Sequence, residues 1–490
     1  METKKLAKHG LVYTATSLAA QAISLLMVPI FTRNMTQAQY GQYNLLISVQ
    51  SFLAIFITLG IFSGMSRFIN EFVDKNRTKN IVLTFSLLWG SLMCLFAAAG
   101  AGFIYHLILS NQQDGGYYIN FIVISSVLLC FISIYTSYFT MLFKPKHVTI
   151  TNLARVIFML AYSAYLIMVK KEGLYGALQA QLLAFSSVVI GLIWYDFKNI
   201  RLVLAWPELK AMLLYGLGLV PGQAAGWVYT LIDRYFIQIM LGLQQVAVYS
   251  IGYRLGMMMD PVFLSPFKSV FTSFKYKVYK DADATRKIKE IYVIYNFVGW
   301  FCILGFSVFA KPAIAILATS AYSDAFTIVP IVVFSYFLSG LGEFYSLGIH
   351  IQNKSIVESY ILAVGAAINV VLNVVLIPRL GIMGAAYATV LSYLAMNVLY
   401  YFIGKKYLEL DLHYFAPFKG SIVFLILYGF YFIVHGSVNN IYLNILLATG
   451  LCLIYPFLGI AVGIIPREMA KAGVLVLMQK AGRVRFKAKI

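Results

Sequence analysis

Charge is what this sequence has least of. Only 11% of its 490 residues are Asp, Glu, Lys or Arg, while 61% are hydrophobic and the mean hydropathy is +0.81. A soluble domain carries about 25% charge, so an ordinary globular enzyme or binding module is excluded. Cysteine is nearly absent as well. Cys94, Cys130, Cys302 and Cys452 all fall inside apolar stretches and show no CxxC or CxxH spacing, so they read as core or lipid-facing thiols rather than metal ligands. The six histidines are scattered, and no HExxH, GxSxG, phosphate-loop or dinucleotide pattern occurs. Gly216 and Gly218 form a lone pair inside an apolar run, which is no nucleotide signal. No metal site, cofactor site or ATPase is expected.

What the chain does have is apolar length. Fourteen runs, each long enough to cross a hydrocarbon core of about 30 Å as a helix, lie near 11–31, 43–65, 81–105, 117–143, 150–169, 174–195, 211–240, 246–270, 290–310, 326–350, 357–377, 381–403, 418–435 and 441–465. The expected fold is an all-α polytopic membrane protein of about fourteen transmembrane helices. The first run follows three lysines and superficially resembles a signal peptide, but it continues to Phe31 and is expected to remain attached.

The net charge of +20 reports topology rather than nucleic acid binding. With the N-terminus placed in the cytoplasm, 29 Lys and Arg fall in the inner connections and tail, and 5 in the outer ones. Both termini are therefore expected inside. Arg155, Arg234, Arg254 and Lys268 fall within the spans themselves.

A repeat organises the chain. Gly173 to Leu183, GLYGALQAQLL, aligns without gaps with Gly381 to Leu391, GIMGAAYATVL, at an offset of 208 and with five identities. Gln39 to Tyr43 matches Gln245 to Tyr249 at an offset of 206. Six helices separate the copies, an even number, so the halves share orientation and form a parallel repeat. The expected division is a six-helix lobe over 1–205, a second over 206–405, and helices thirteen and fourteen with a basic tail over 406–490. Pro29, Pro221, Pro261 and Pro266 interrupt runs one, seven and eight, and would kink them.

Within the spans, ionisable residues stand out because each costs about 2.5–3.5 kcal/mol at mid-helix. The stretch Tyr229 to Asp260 alone carries Asp233, Arg234, Arg254 and Asp260. Asp233 and Arg234 point about 100° apart on a helix. Asp233 is thus expected to compensate Arg254 or a neighbouring helix, leaving Arg234 with Gln223 and Gln238 towards a solvated cavity; a structural ion-pair cluster is the competing reading. Helix ten sets Ser335, Ser339, Glu343, Ser346 and His350 on one face, and Glu343 joins the cavity candidates. Towards the cytoplasm Arg67, Arg155, Lys146 and Lys268 either anchor helices individually or converge into a basic mouth suited to a diphosphate.

The Asp233-Arg234 pair followed by Leu241-Gly242, the Ala247-Val248-Tyr249 opening of the next helix, and Tyr40-Gly41-Gln42-Tyr43 after the first resemble the polysaccharide (O-antigen type) flippase family of the multidrug/oligosaccharidyl-lipid/polysaccharide exporter superfamily. The resemblance covers essentially the whole chain. It implies alternating access in a bacterial cytoplasmic membrane, moving an undecaprenyl-diphosphate-linked oligosaccharide from the inner to the outer leaflet. It also implies coupling to a cation gradient, sodium or proton, or to the membrane potential, and neighbours such as a glycan polymerase and glycosyltransferases. A lipid II flippase is the nearest alternative. A drug antiporter would want an acid within the N-terminal lobe, and helices one to six hold none apart from Asp196 at an end; a membrane glycosyl polymerase would want a sizeable outer loop, and the outer connections are all short.

Overall fold

The structure is a computed structural model and describes residue 16 together with 18–72, 74–109, 116–408, 416–435 and 440–464. Among these residues it is all-helical. The backbone of a lipid-embedded segment must satisfy its own hydrogen bonds, and runs of this composition do so as helices.

The helices are α1 (Met27–Asn34), α2 (Gln37–Thr58), α3 (Ile61–Phe68), α4 (Lys75–Leu109), α5 (Gly116–Met141), α6 (Pro145–Ser163), α7 (Gly173–Asp196), α8 (Trp206–Leu231) and α9 (Asp233–Leu241). They continue as α10 (Leu243–Gly256), α11 (Ser265–Val278), α12 (Ala284–Leu317), α13 (Val329–Tyr345), α14 (Leu347–Ile351), α15 (Ser355–Leu380), α16 (Ile382–Lys405), α17 (Ala416–Val434) and α18 (Ile441–Ala461). Eleven helices among the described residues are long and apolar enough to cross a membrane. Each coincides with an expected run. Of the other three, the run at 11–31 lies partly outside the described residues. The run at 246–270 is divided between α10, a π-turn over Asp260–Leu264 and α11, and that at 418–435 is a shorter apolar helix.

The chain packs as two compact units. The first comprises Met1–Gly252, Ile314–Ala325 and Ser359–Ser392; the second comprises Tyr253–Ala313, Phe326–Glu358 and Tyr393–Ile490.

In the first unit the helix breaks follow the repeat. A single turn residue, Leu26, precedes α1, and a single turn residue, Ile232, separates α8 from α9; the two lie 206 residues apart. Thr36 caps α2 through a reciprocal box with Gln39, the amide of each reaching the side chain of the other at 3.1 and 3.2 Å. At the far end of α2 the chain turns through left-handed Leu59 and Gly60 into α3. Gly60 lies so close to Gly216 of α8 that a Cβ on either would come within 2.5 Å of the other strand of backbone or its neighbour Leu59. The two aligned glycines that define the longer repeat share one job. Gly173 and Gly381 both adopt left-handed φ, +55° and +61°, at the entry to α7 and α16. Three residues on, Gly176 and Gly384 press against the carbonyls of Leu166 and Leu376 at the end of the preceding helix, a fit that a side chain would spoil.

The second unit is held by aromatic packing around Tyr295, Phe337 and Phe344. Tyr295 donates its hydroxyl to the carbonyl of Phe337 at 2.7 Å, with Phe267 and Phe271 stacked alongside. Helix ten of the sequence reading is broken at Ser346, between α13 and the short α14.

Candidate functional site

The turn at Ile232 sets Asp233 at the start of α9, and both Asp233 and Arg234 are buried. The Arg234 Nη1 donates to the Thr230 carbonyl at 2.8 Å and stands 3.3 Å from Asp233 Oδ1. Tyr249 of α10 donates its hydroxyl to the other oxygen, Oδ2, and its ring lies 5.9 Å beneath the guanidinium. Asp233 is thus satisfied by Arg234 and by Tyr249; of the two partners expected, the neighbouring helix supplies one and Arg254 does not. The helical angle between positions 233 and 234 fixes the Cβ directions only. A guanidinium on a three-carbon stem folds back over the preceding turn and meets the carboxylate from the side.

Arg254, on the last turn of α10, is the opposite case. It makes no ion pair or hydrogen bond among the described residues, and its Nη1 is buried. Asp260, on the π-turn, accepts from Ser265 Oγ at 3.0 Å instead. Gln238 is half-buried with an unpartnered Oε1. Gln223 is half-buried eleven residues before Arg234, about 16 Å away along a helix, so the two occupy different layers.

Glu343 lies among the lysines rather than with Arg234. Lys268 Nζ stands 3.6 Å from Oε1, and Lys275 Nζ, from a side chain only 3% exposed, stands 3.2 Å from Oε2. Lys275 also reaches His350 Nδ1 at 2.8 Å, and His350 Nε2 meets Glu358 at 3.1 Å. A cavity of about 410 Å³ opens on this network. Directly bonded participants are up to 75 residues apart, and nothing in helical spacing could have joined them.

The four residues expected at a basic mouth have different surroundings. Arg67 pairs with Glu71, in the turn just past the end of α3, and lies over Phe68; Lys146 is exposed. Arg155 lies on α6, about 15 Å along the helix from its start at Pro145, within an apolar span. It is partly buried and makes no hydrogen bond or ion pair among the described residues.

One buried pair escaped the sequence reading. Lys79 is fully buried near the start of α4, bonded to Asp196 at the end of α7, while Tyr135 and Asn199 each donate to the same carboxylate at 3.1 Å. In the sequence Asp196 stands out only as an acid at a helix end, and Lys79 only as one of the basic residues of the inner connections. The signal available was Asp196 itself, an acid in a sequence with few of them.

These features, broken spanning helices in two units with guanidinium groups held inside the apolar zone, define a membrane transporter fold. Among solved structures, the lipid II flippase MurJ in an inward closed conformation matches with a TM-score of 0.73 at 12% identity, over 92% of this chain and 99% of that one. An inward-facing multidrug resistance MATE family transporter of the MOP superfamily matches at 0.64 and 14% identity, over 79% and 94%. In sequence, an uncharacterised membrane protein of Methanocaldococcus jannaschii is 22% identical over 441 residues, 83% of this chain and 85% of the relative. The family model described as polysaccharide biosynthesis protein matches residues 6–272, more than half of the chain. The chain belongs to that family.

Proposed function

We propose that the protein is a flippase that carries an undecaprenyl-diphosphate-linked oligosaccharide from the inner to the outer leaflet of a bacterial cytoplasmic membrane by alternating access. Both termini face the cytoplasm, as the distribution of Lys and Arg favours. The observation that carries the reading is that Arg155 and Arg254, both within apolar runs, meet no carboxylate among the described residues. An ion held for stability is paired, because an unpaired one costs several kcal/mol in hydrocarbon. Arginines kept without a protein carboxylate suit an anionic passenger, and a diphosphate accepts their paired N–H groups in the plane of the guanidinium. Arg234 and Asp233 then brace the helix that bears them.

The test is surface glycan in a strain dependent on this gene. Arg155→Ala and Arg254→Ala should each abolish surface polysaccharide while the protein remains in the membrane at normal amount. Normal export by both well-inserted variants refutes the reading. If the strain instead loses viability and accumulates lipid II on depletion of the wild-type protein, the passenger is the peptidoglycan precursor.

A further inference from the structure

The Lys275, Glu343, His350 and Glu358 network has a property that a simple salt bridge lacks. Lys275 Nζ carries only N–H groups, so at 2.8 Å it donates and His350 Nδ1 accepts. The imidazole proton therefore sits on Nε2, facing Glu358 Oε2 at 3.1 Å. His350 is held as one neutral tautomer with its remaining lone pair in use.

A second proton has one place to go, Nδ1, and its arrival turns an accepted hydrogen bond into two facing N–H groups. Lys275 must then leave the imidazole, keeping the hydrogen bond that it already donates to Glu343 Oε2 at 3.2 Å. The other groups around the imidazole favour this exchange on one side and resist it on the other. Glu358 stabilises an imidazolium, while Lys275 itself and Lys354 on the cavity wall oppose it. Lys268 holds the far oxygen of Glu343 and so keeps that carboxylate in reach. The elements tied together are separate pieces of helix: α11 follows the π-turn at Asp260–Leu264, and α14 is a five-residue piece set off from α13 at Ser346. The cavity that the network lines gives water a route to the site.

We propose that His350 is a proton-binding site, and that its occupancy unlatches α14 from α11 by leaving Lys275 to Glu343 alone. Resting on the transport reading above, this makes a proton the ion exchanged during the cycle; the latch itself does not depend on what is carried.

Hydrogen–deuterium exchange of the purified full-length protein in detergent, corrected for intrinsic chemical rates, separates the two levels. Exchange over 265–278 and 347–358 should rise about tenfold between pH 8 and pH 5.5, the effect of losing one charge-assisted hydrogen bond, while 117–141 stays constant. His350→Gln, whose amide accepts from Lys275 and donates to Glu358 but takes no proton, should abolish the response. Glu358→Gln should move the midpoint of the response to lower pH, because the carboxylate that faces Nε2 is gone. A wild-type protein with no response, a His350→Gln protein with the wild-type response, or a Glu358→Gln midpoint that does not move overturns the proposal. These readouts contain no cargo, so they fail or succeed independently of the flippase assignment.

Discussion

Tyr249 donates its hydroxyl hydrogen to the Asp233 carboxylate across the turn between α9 and α10, and the opposite oxygen of that carboxylate is held by Arg234. With side chains 2% and 8% exposed, Asp233 and Arg234 form a buried pair, and removing one partner strands the other. Arg234→Ala should therefore cost about 3–5 kcal/mol and reduce the folded protein recovered from membranes. This differs from a residue that only touches cargo, whose loss would spare the protein. Replacing both, Asp233→Leu with Arg234→Met, should restore much of the recovery, as fluorescence-detected size exclusion would show. A double variant that is recovered as poorly as the single one contradicts a bracing role for the pair.

Gly216 of α8 meets the Leu59–Gly60 turn backbone to backbone. Gly60 is also left-handed at φ +65°, so neither position admits a side chain without moving a helix. Gly216→Val should prevent α3 from packing on α8 and lower the amount of inserted protein. Gly218→Val, where a Cβ has open space on the same helix, should be tolerated. Comparable yields of the two variants would show that the close approach is dispensable.

The membrane architecture was legible in the sequence because hydrocarbon imposes length and apolarity locally, residue by residue. The repeat was legible for a related reason. Gly173 and Gly381 are fixed by a backbone angle that only glycine adopts easily, so the motif survives where side chains have diverged. The charge partners were not legible. Asp233 and Arg234 were separated on the assumption that Cβ direction fixes where a long side chain ends. Glu343 was grouped with Arg234 by type, whereas Lys268 and Lys275 claim it through folding of segments some seventy residues apart. The place of Arg155 along α6 was not legible either, because Pro145 at the first turn starts the helix before the apolar run that marked it.

Asp283 offers a test by pH at the exposed start of α12. Lys287 at 2.8 Å and Arg286 at 3.0 Å hold its carboxyl below the ordinary carboxylate range. A depressed folded value means that its contribution is complete above the unfolded value, about 3.9, and is lost as pH falls through the folded one. Amide exchange over 284–290 should hence be insensitive to pH-linked fraying from neutrality to about pH 5 and increase only in stronger acid. Asp283→Asn should show the increase at neutral pH, and high salt should reproduce part of it in the wild type, since exposed pairs are screened. An Asn variant protected as well as the wild type would remove the carboxylate from the helix start.

Arg254 separates charge from shape. Its guanidinium has a buried Nη1 and meets no carboxylate among the described residues, so two substitutions make distinct demands. Arg254→Met keeps the stem and removes the unsatisfied donor, so it should insert at least as well as the wild type and yet fail to export. Arg254→Lys keeps the charge but not the planar fork. A point charge still attracts a diphosphate without binding two oxygens at once, and export should fall about tenfold, the share of a bidentate contact, rather than vanish. The order wild type, Lys, Met in surface glycan, with insertion unchanged or rising along the series, is what an anion contact requires. Equal export by the Met and Lys variants would mean that the charge at this position does no more than the stem that carries it.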